Sequence, residues 1–158
     1  IAEVASGVEP YPDFVWKKSY KDELRQRQLG SAFALYDAMG IERQDRERRT
    51  EAMLRNWDFF GAPHALFFAM EKYLQLMGAV DLGIFAQSVA LLMAEQGIDS
   101  CFQGALNHYP GAARKLFNLP ESQGILFGMS FGYLDHGHPA NKTRTEREPL
   151  DKLVTFVE

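Results

Sequence analysis

The segment from Val80 to Gln96 constrains this chain more than any other. Ile84, Phe85, Val89, Leu92 and Met93 recur at helical spacing, Asp81 stands near the start and Gly97 follows the end, the place where a glycine commonly stops a helix. A helix that is apolar nearly all round leaves no side for water, so it is predicted as a buried core or interface helix. Two other segments can help to cover it. His64–Met70 is a nearly continuous apolar run, and Gly124–Tyr133 reads GILFGMSFGY; such runs are core strands buried on both faces. Gly128 and Gly132 in the second run allow another backbone to approach closely.

The rest of the chain is mainly helical in pattern. Residues 1 to 16, with Gly7, Pro10, Pro12, Tyr11, Phe14 and Trp16, read as an extended arm. Leu24, Leu29, Phe33, Leu35, Tyr36 and Met39 mark an amphipathic helix from Ser19 to Met39, closed by Gly40. A second helix is predicted from an Asp45 N-cap to about Trp57, and its alternating charges form a solvated face. Gly61-Ala62-Pro63 breaks the pattern before the first apolar run. Pro110 at the first helical position opens a short helix to Asn118, and Pro120 ends that segment. Asp135 to Asn141 is turn-like, followed by a polar tail carrying Lys142, Arg144, Arg147 and Lys152. At 158 residues, 46% hydrophobic, the chain suits one compact α+β or α/β domain with a single sizeable core.

Several function classes are set aside by charge and motif. A net charge of −4 argues against a nucleic-acid binder, which usually shows a basic face. The lone Cys101 and the lack of a signal-peptide pattern favour a reducing, cytoplasmic compartment, and no apolar run approaches the roughly 20 residues that span a bilayer. A soluble chain is expected. Asp135, His136 and His138 read as a surface turn rather than a metal site. His64 reads as a core or interface histidine, Cys101 as a small buried thiol, and Ser100 lacks the context of a nucleophile elbow. No dinucleotide fingerprint or Walker pattern occurs.

What remains is Gly97–Leu106, read as a loop after the long helix, together with the basic tail. A flavin needs a flat apolar wall, backbone amides near its N5 atom and cations for its phosphate. Phe102, Gln103, Gly104 and Ala105 can supply the first two, and the fixed fork of Arg147 the third. The plainer reading is a connection between helices and a solvated arm.

Five segments stand in the order and spacing of one known family: Phe59-Phe60-Gly61-Ala62-Pro63, Phe85-Ala86-Gln87-Ser88, Gly97 to Leu106, Gly128 to Tyr133, and the run from Asn141 to Leu150. On these the chain resembles the nitroreductase family, well from about residue 50 to 158 and more loosely from 10 to 50. The resemblance implies an α+β fold with a central mixed β-sheet flanked by helices, in an interlocked homodimer. Residues 1–158 would be one nitroreductase-like domain without its N-terminal part; Ile1 is not an initiator methionine. The implied activity is FMN-dependent, passing hydride from NAD(P)H through FMN to a nitroaromatic, quinone or similar small-molecule acceptor. Phe102, Gln103, Gly104 and Ala105 would line the flavin, with a main-chain N–H from about Gly104 near N5. Arg147, and second to it Arg144, would meet the phosphate, and Asn56 would lie near flavin or substrate. No catalytic side chain is implied, since the cofactor reacts. Two motifs of the family, an Arg-Ser-x-Arg type and a Ser-x-Asn-x-Gln-Pro-Trp stretch, do not occur in these 158 residues. The alternative expectation is a non-catalytic or partner-dependent protein on a degenerate nitroreductase scaffold.

Overall fold

The computed structural model describes residues 1–15 and 19–157, so Trp16 of the expected arm lies outside the described residues. The helices in chain order are α1 (Ala2–Ala5), α2 (Asp22–Ala38), α3 (Arg46–Leu54), α4 (Gln75–Glu95), α5 (Gly111–Phe117) and α6 (Leu150–Leu153). The strands are β1 (His64–Glu71), β2 (Asp99–Gln103) and β3 (Gln123–Gly132). The chain divides into two compact units, Ile1–Lys17 with Arg46–Leu134, and Lys18–Asp45 with Asp135–Glu158.

In the first unit the strands form one sheet in the order β1-β3-β2. Both pairings are antiparallel, with His64 opposite Phe131 at one end of β1 and Gln103 opposite Gly128 in β2. Among the described residues the sheet is therefore antiparallel rather than mixed. The reason is topological. The α4 crossover makes β1 and β2 co-directional, but β3 sits between them and pairs antiparallel with each.

The strand alternation assigns β3 side chains to two layers. Phe127 and Met129 point to the α4 side, where Phe68, Met129 and Ala86 form the core with Leu66, Leu82, Val89, Ala90 and Met93 packed around them. The Phe68 and Phe127 rings stack at 4.8 Å. Of the two apolar runs, β3 is buried on both faces, while β1 buries only Phe68 and Met70. An edge strand has cover along one side only.

α4 begins at Gln75, earlier than the sequence pattern indicated, and buries only Gly78 and Ala86. Gly78 is pressed so close that a Cβ there would lie 2.9 Å from the Met70 sulfur. Leu76, Met77, Val80, Ile84, Phe85, Leu91 and Leu92 are exposed. Within this chain α4 is thus not a buried core helix, because a three-stranded sheet covers one side of a helix and no more. The expectation that no run approaches membrane-spanning length is also corrected. The helical stretch Lys72–Glu95 is long and apolar enough to cross a membrane by length and composition alone, its few polar residues being outweighed in the average.

Two further segments depart from the sequence reading. The first residues form α1, ended by Gly7 at φ +75°, so the arm is extended only after that glycine. Gly97–Leu106 is not a loop: it holds β2 and a 3₁₀ turn, Gly104–Asn107. The segment is a strand because β3 offers it an edge to pair with, from Asp99 opposite Gly132 to Gln103 opposite Gly128.

The arm is fastened by Asp13, whose carboxylate is 8% exposed. It accepts from the Ile125 N–H at 3.0 Å, and Lys72 Nζ and Arg114 Nη1 lie 3.1 Å away. Arg114 also donates to the Gln123 carbonyl at 2.6 Å. Arm, β3 and α5 are joined at this one group.

In the second unit, α2 carries no buried residue. Arg27 joins Glu23 at 2.6 Å and Glu148 at 2.9 Å, and the Arg43 guanidinium lies 5.1 Å over the Phe33 ring. Pairs of this exposed kind contribute little each.

Burial alone would raise the Asp13 pKa, but the Ile125 N–H, Lys72 and Arg114 together hold it below its ordinary value. A carboxyl with a depressed folded-state pKa stabilises the fold above its unfolded pKa, and that contribution is lost as pH falls through the folded value. Asp13→Ala is expected to lose about 1.5 to 3 kcal/mol in urea unfolding at pH 7. The difference from the parent chain should shrink below about pH 4.

Candidate functional site

β2 is an edge strand, so its outer main-chain N–H and C=O groups have no strand partner among the described residues. The strand alternation separates the residues expected to line a common wall. Phe102 lies opposite Met129, on the α4 side, 45% exposed and edge-on to Phe127 at 5.9 Å. Gln103 points to the other side and is 2% exposed. Its Nε2 donates to the Asn56 carbonyl at 2.8 Å. Its side chain is therefore committed to the protein interior, and only its main chain stays with Phe102, Gly104 and Ala105. Gly104 and Ala105 are half-buried.

The turn after β2 is set by three contacts. Leu106 is 3% exposed and packs on Gly128, where a Cβ would collide with the Leu106 Cδ1 and come within 3.0 Å of the Leu66 carbonyl. Asn107, 1% exposed, donates from Nδ2 to the Phe14 carbonyl at 2.9 Å. Gln103 holds the near end, as above. Sequence reasoning missed Asn107, whose partner stands 93 residues away, and named Leu106 only as the end of the Gly97–Leu106 stretch.

Asn56 belongs to the 3₁₀ segment Arg55–Gly61. Its side-chain Nδ2 donates to the Met53 carbonyl at 2.9 Å, while its own carbonyl receives Gln103. Just beyond, Phe59 and Phe60 adopt φ of 51° and 56°, a left-handed region that bulky residues rarely occupy. Arg55 Nη2 donates to the Phe60 carbonyl at 3.0 Å and braces that bend.

Arg144 and Arg147 belong to the second unit. Arg144 Nη1 donates to the carbonyls of Asn141 at 2.8 Å and Thr143 at 2.9 Å. Arg147 Nη1 donates to Thr145 Oγ1 at 2.7 Å and to the carbonyls of Thr145 and Glu146. Both are exposed, and each braces its own loop with Nη1. Their remaining guanidinium N–H groups meet no acceptor among the described residues, which leaves a charged donor edge for an anion.

The other candidates are committed elsewhere or open to solvent. His64 is exposed and stacks on Phe131 at 5.2 Å, rather than sitting in a core. Cys101 is exposed, not buried. Desolvation around its sulfur nevertheless raises the thiol pKa, the opposite of what a nucleophilic cysteine requires. His138 Nδ1 accepts from the Ala140 N–H and Asp135 Oδ1 from the Gly137 N–H. Among the described residues no three His, Cys, Asp or Glu side chains converge. An apolar groove of about 470 Å³ runs beside the start of α4, lined by Phe14, Met70, Leu76, Ala79, Leu126 and Phe127.

The turn in the first unit offers main chain and an aromatic edge, and the loop in the second unit, by itself, offers guanidinium donors. The sequence pattern of the Nitroreductase family matches residues 14–133. The chain is 33% identical over 150 residues to the 4-nitrobenzoate reductase of Nocardioides sp. (strain LMS-CY), covering 94% of this chain and 59% of that protein. It is 33% identical over 123 residues to the nitrobenzene nitroreductase of Ectopseudomonas oleovorans, covering 78% of this chain and 54% of that protein. The chain thus spans a little over half the length of these curated relatives. The crystal structure of the FMN-dependent nitroreductase NfnB from Mycobacterium smegmatis in complex with NADPH superposes with a TM-score of 0.92 at 28% identity, covering 99% of this chain and 70% of that one.

Gly128→Ala tests whether the turn depends on the Leu106 contact. The added methyl must displace Leu106, and overpacking of this kind costs about 1 to 3 kcal/mol. A loss in that range is expected in urea unfolding; unchanged stability would show that Leu106 and the turn shift freely.

Proposed function

The chain belongs to the nitroreductase family, and from that premise we propose that it is part of an FMN-dependent oxidoreductase that uses NAD(P)H to reduce a nitroaromatic, quinone or similar small acceptor. The observation that carries this reading is the 3₁₀ turn that follows the open edge of β2. Edge-strand backbone, a half-exposed Phe102 and a side-chain-free Gly104 fit the rim of a planar ring. Bound there, FMN would supply hydride acceptance and release. This chain's residues would bind and orient: Phe102 by its ring, Gln103, Gly104 and Ala105 by main chain, and Arg144 and Arg147 by donors to a phosphate. A backbone N–H needs no change of protonation to stabilise developing negative charge, so activity should not follow the titration of any one side chain in the turn.

The partner proposed for the open side of α4 is a second copy of this chain. Leu76, Met77, Ile84, Phe85, Leu91 and Leu92 are exposed on α4 around the polar Asp81, Gln87 and Ser88, and an apolar groove lies beside the start of the helix. Patches of this kind mark interaction sites, and one helix paired with its own copy makes a self-complementary interface. Lipid fits less well, because Asp81 falls near the middle of the apolar helix and a carboxylate at that depth costs about 2.5 to 3.5 kcal/mol. The single free Cys101 accords with a cytoplasmic setting.

Titration with FMN should quench flavin fluorescence saturably, and the loaded protein should oxidise NADPH when 4-nitrobenzoate is supplied. A chain that leaves flavin fluorescence unchanged at high protein concentration contradicts the reading. Arg147→Ala is expected to weaken FMN binding by about 1.5 to 3 kcal/mol, with unchanged affinity removing that residue from the phosphate. Sedimentation should give a dimer, and the double substitution Phe85→Asp, Leu92→Asp a monomer. Flotation of the parent chain with neutral lipid vesicles would instead assign the α4 surface to a membrane.

A further inference from the structure

We infer that Gln103 and Asn107 are positioning residues whose buried side-chain amides clamp the Gly104–Asn107 turn at both ends and hold its main-chain N–H groups in place for the flavin ring. The inference rests on the flavin reading above. Each amide reaches across the first unit. Gln103 Nε2 meets the Asn56 carbonyl, 47 residues away in sequence, at 2.8 Å. Asn107 Nδ2 meets the Phe14 carbonyl, 93 residues away, at 2.9 Å. Both residues are almost wholly buried, at 2% and 1% exposure.

Neither amide is there because it is fully satisfied. Gln103 Oε1 and Asn107 Oδ1 are buried without a partner among the described residues, an unfavourable state for a carbonyl. An apolar side chain of similar size would avoid that penalty. What it would not provide is the N–H donor, and each donor fixes one end of the same four-residue turn. The turn needs such fixing because Gly104, with no Cβ, has the widest conformational choice of any residue. Between the clamps, Leu106 against Gly128 supplies a third point of contact. Donors that are already in place when charge develops on a ligand avoid reorganisation at the moment of reaction. Gln103 thus acts through the backbone it holds, and its side chain never faces the ligand.

The test compares Gln103→Met and Asn107→Leu with Gln123→Met, a control that removes an amide donating to Glu71 at 2.8 Å at the far end of the sheet. In the flavin-free chain, amide hydrogen exchange across residues 104–107 should accelerate about tenfold in the first two, as for the loss of one hydrogen bond, and stay unchanged in the control. In the FMN-loaded protein, Gln103→Met should make the flavin midpoint potential more negative and lower kcat, with the NADPH KM within about twofold. Where Gln103→Met fails to fold, Gln103→Glu serves: its protonated acid can donate to the Asn56 carbonyl, so protection of the turn, measured against the parent chain at the same pH, should be lost at high pH and restored at low pH. Unchanged exchange in the turn, or an equal potential shift in Gln123→Met, overturns the inference. Parent chain that takes up no FMN overturns the functional reading itself and the flavin half of this inference, while the clamp is then decided by exchange alone.

Discussion

β3 is hydrogen-bonded along both edges, and both the layer packed on α4 and the position of β2 depend on it. Its pairing with β1 sets which residues face α4, and its pairing with β2 fixes where the edge strand ends. Because side chains alternate, the same strand offers Met129 to the α4 layer and Gly128 to the layer of the 3₁₀ turn. Large and small residues are needed at adjacent positions for different reasons. Met129 fills a core, whereas Gly128 leaves room for Leu106. A register slip of one residue would exchange the two layers and lose both.

The site built on this frame works by shape and backbone. Two buried amides and one leucine hold a turn whose outward groups are main-chain, and the aromatic neighbour Phe102 is held edge-on by Phe127, which stacks in turn on Phe68. Such a site has little chemistry of its own. It suits a reaction in which a bound cofactor carries the electrons and the protein contributes orientation and a fixed dipole. The raised thiol pKa of the nearby Cys101 fits the same picture, since it leaves that side chain inert.

Much of this was legible in the residues. Apolar runs gave β1 and β3 almost to their ends, and Gly40, Gly97 and Pro110 marked helix boundaries correctly to within a residue or two. β2 was hidden because DSCFQ has neither strong alternation nor a continuous apolar run; it forms a strand because β3 offers it an edge. The opposite orientation of Phe102 and Gln103 follows at once from strand geometry, but only when the segment is known to be a strand. For α4 only the core half of the expectation, a buried core or interface helix, fails within this chain. An all-round apolar pattern states that a helix must be covered, and it is silent on whether this chain or another does the covering. The clamp by Gln103 and Asn107 was beyond reach, since contacts across 47 and 93 residues leave no local trace.

The claim that matters most is that FMN is met by the backbone of the turn after β2. A ¹⁵N-edited spectrum of the chain during FMN titration tests it directly. The account predicts that the amide signals of Phe102 to Ala105 shift most within the first unit, and that the Gln103 side-chain NH₂ signal stays in place because it remains bound to the Asn56 carbonyl. Shifts confined to other parts of that unit, with Gly104 and Ala105 unmoved at saturation, would contradict it.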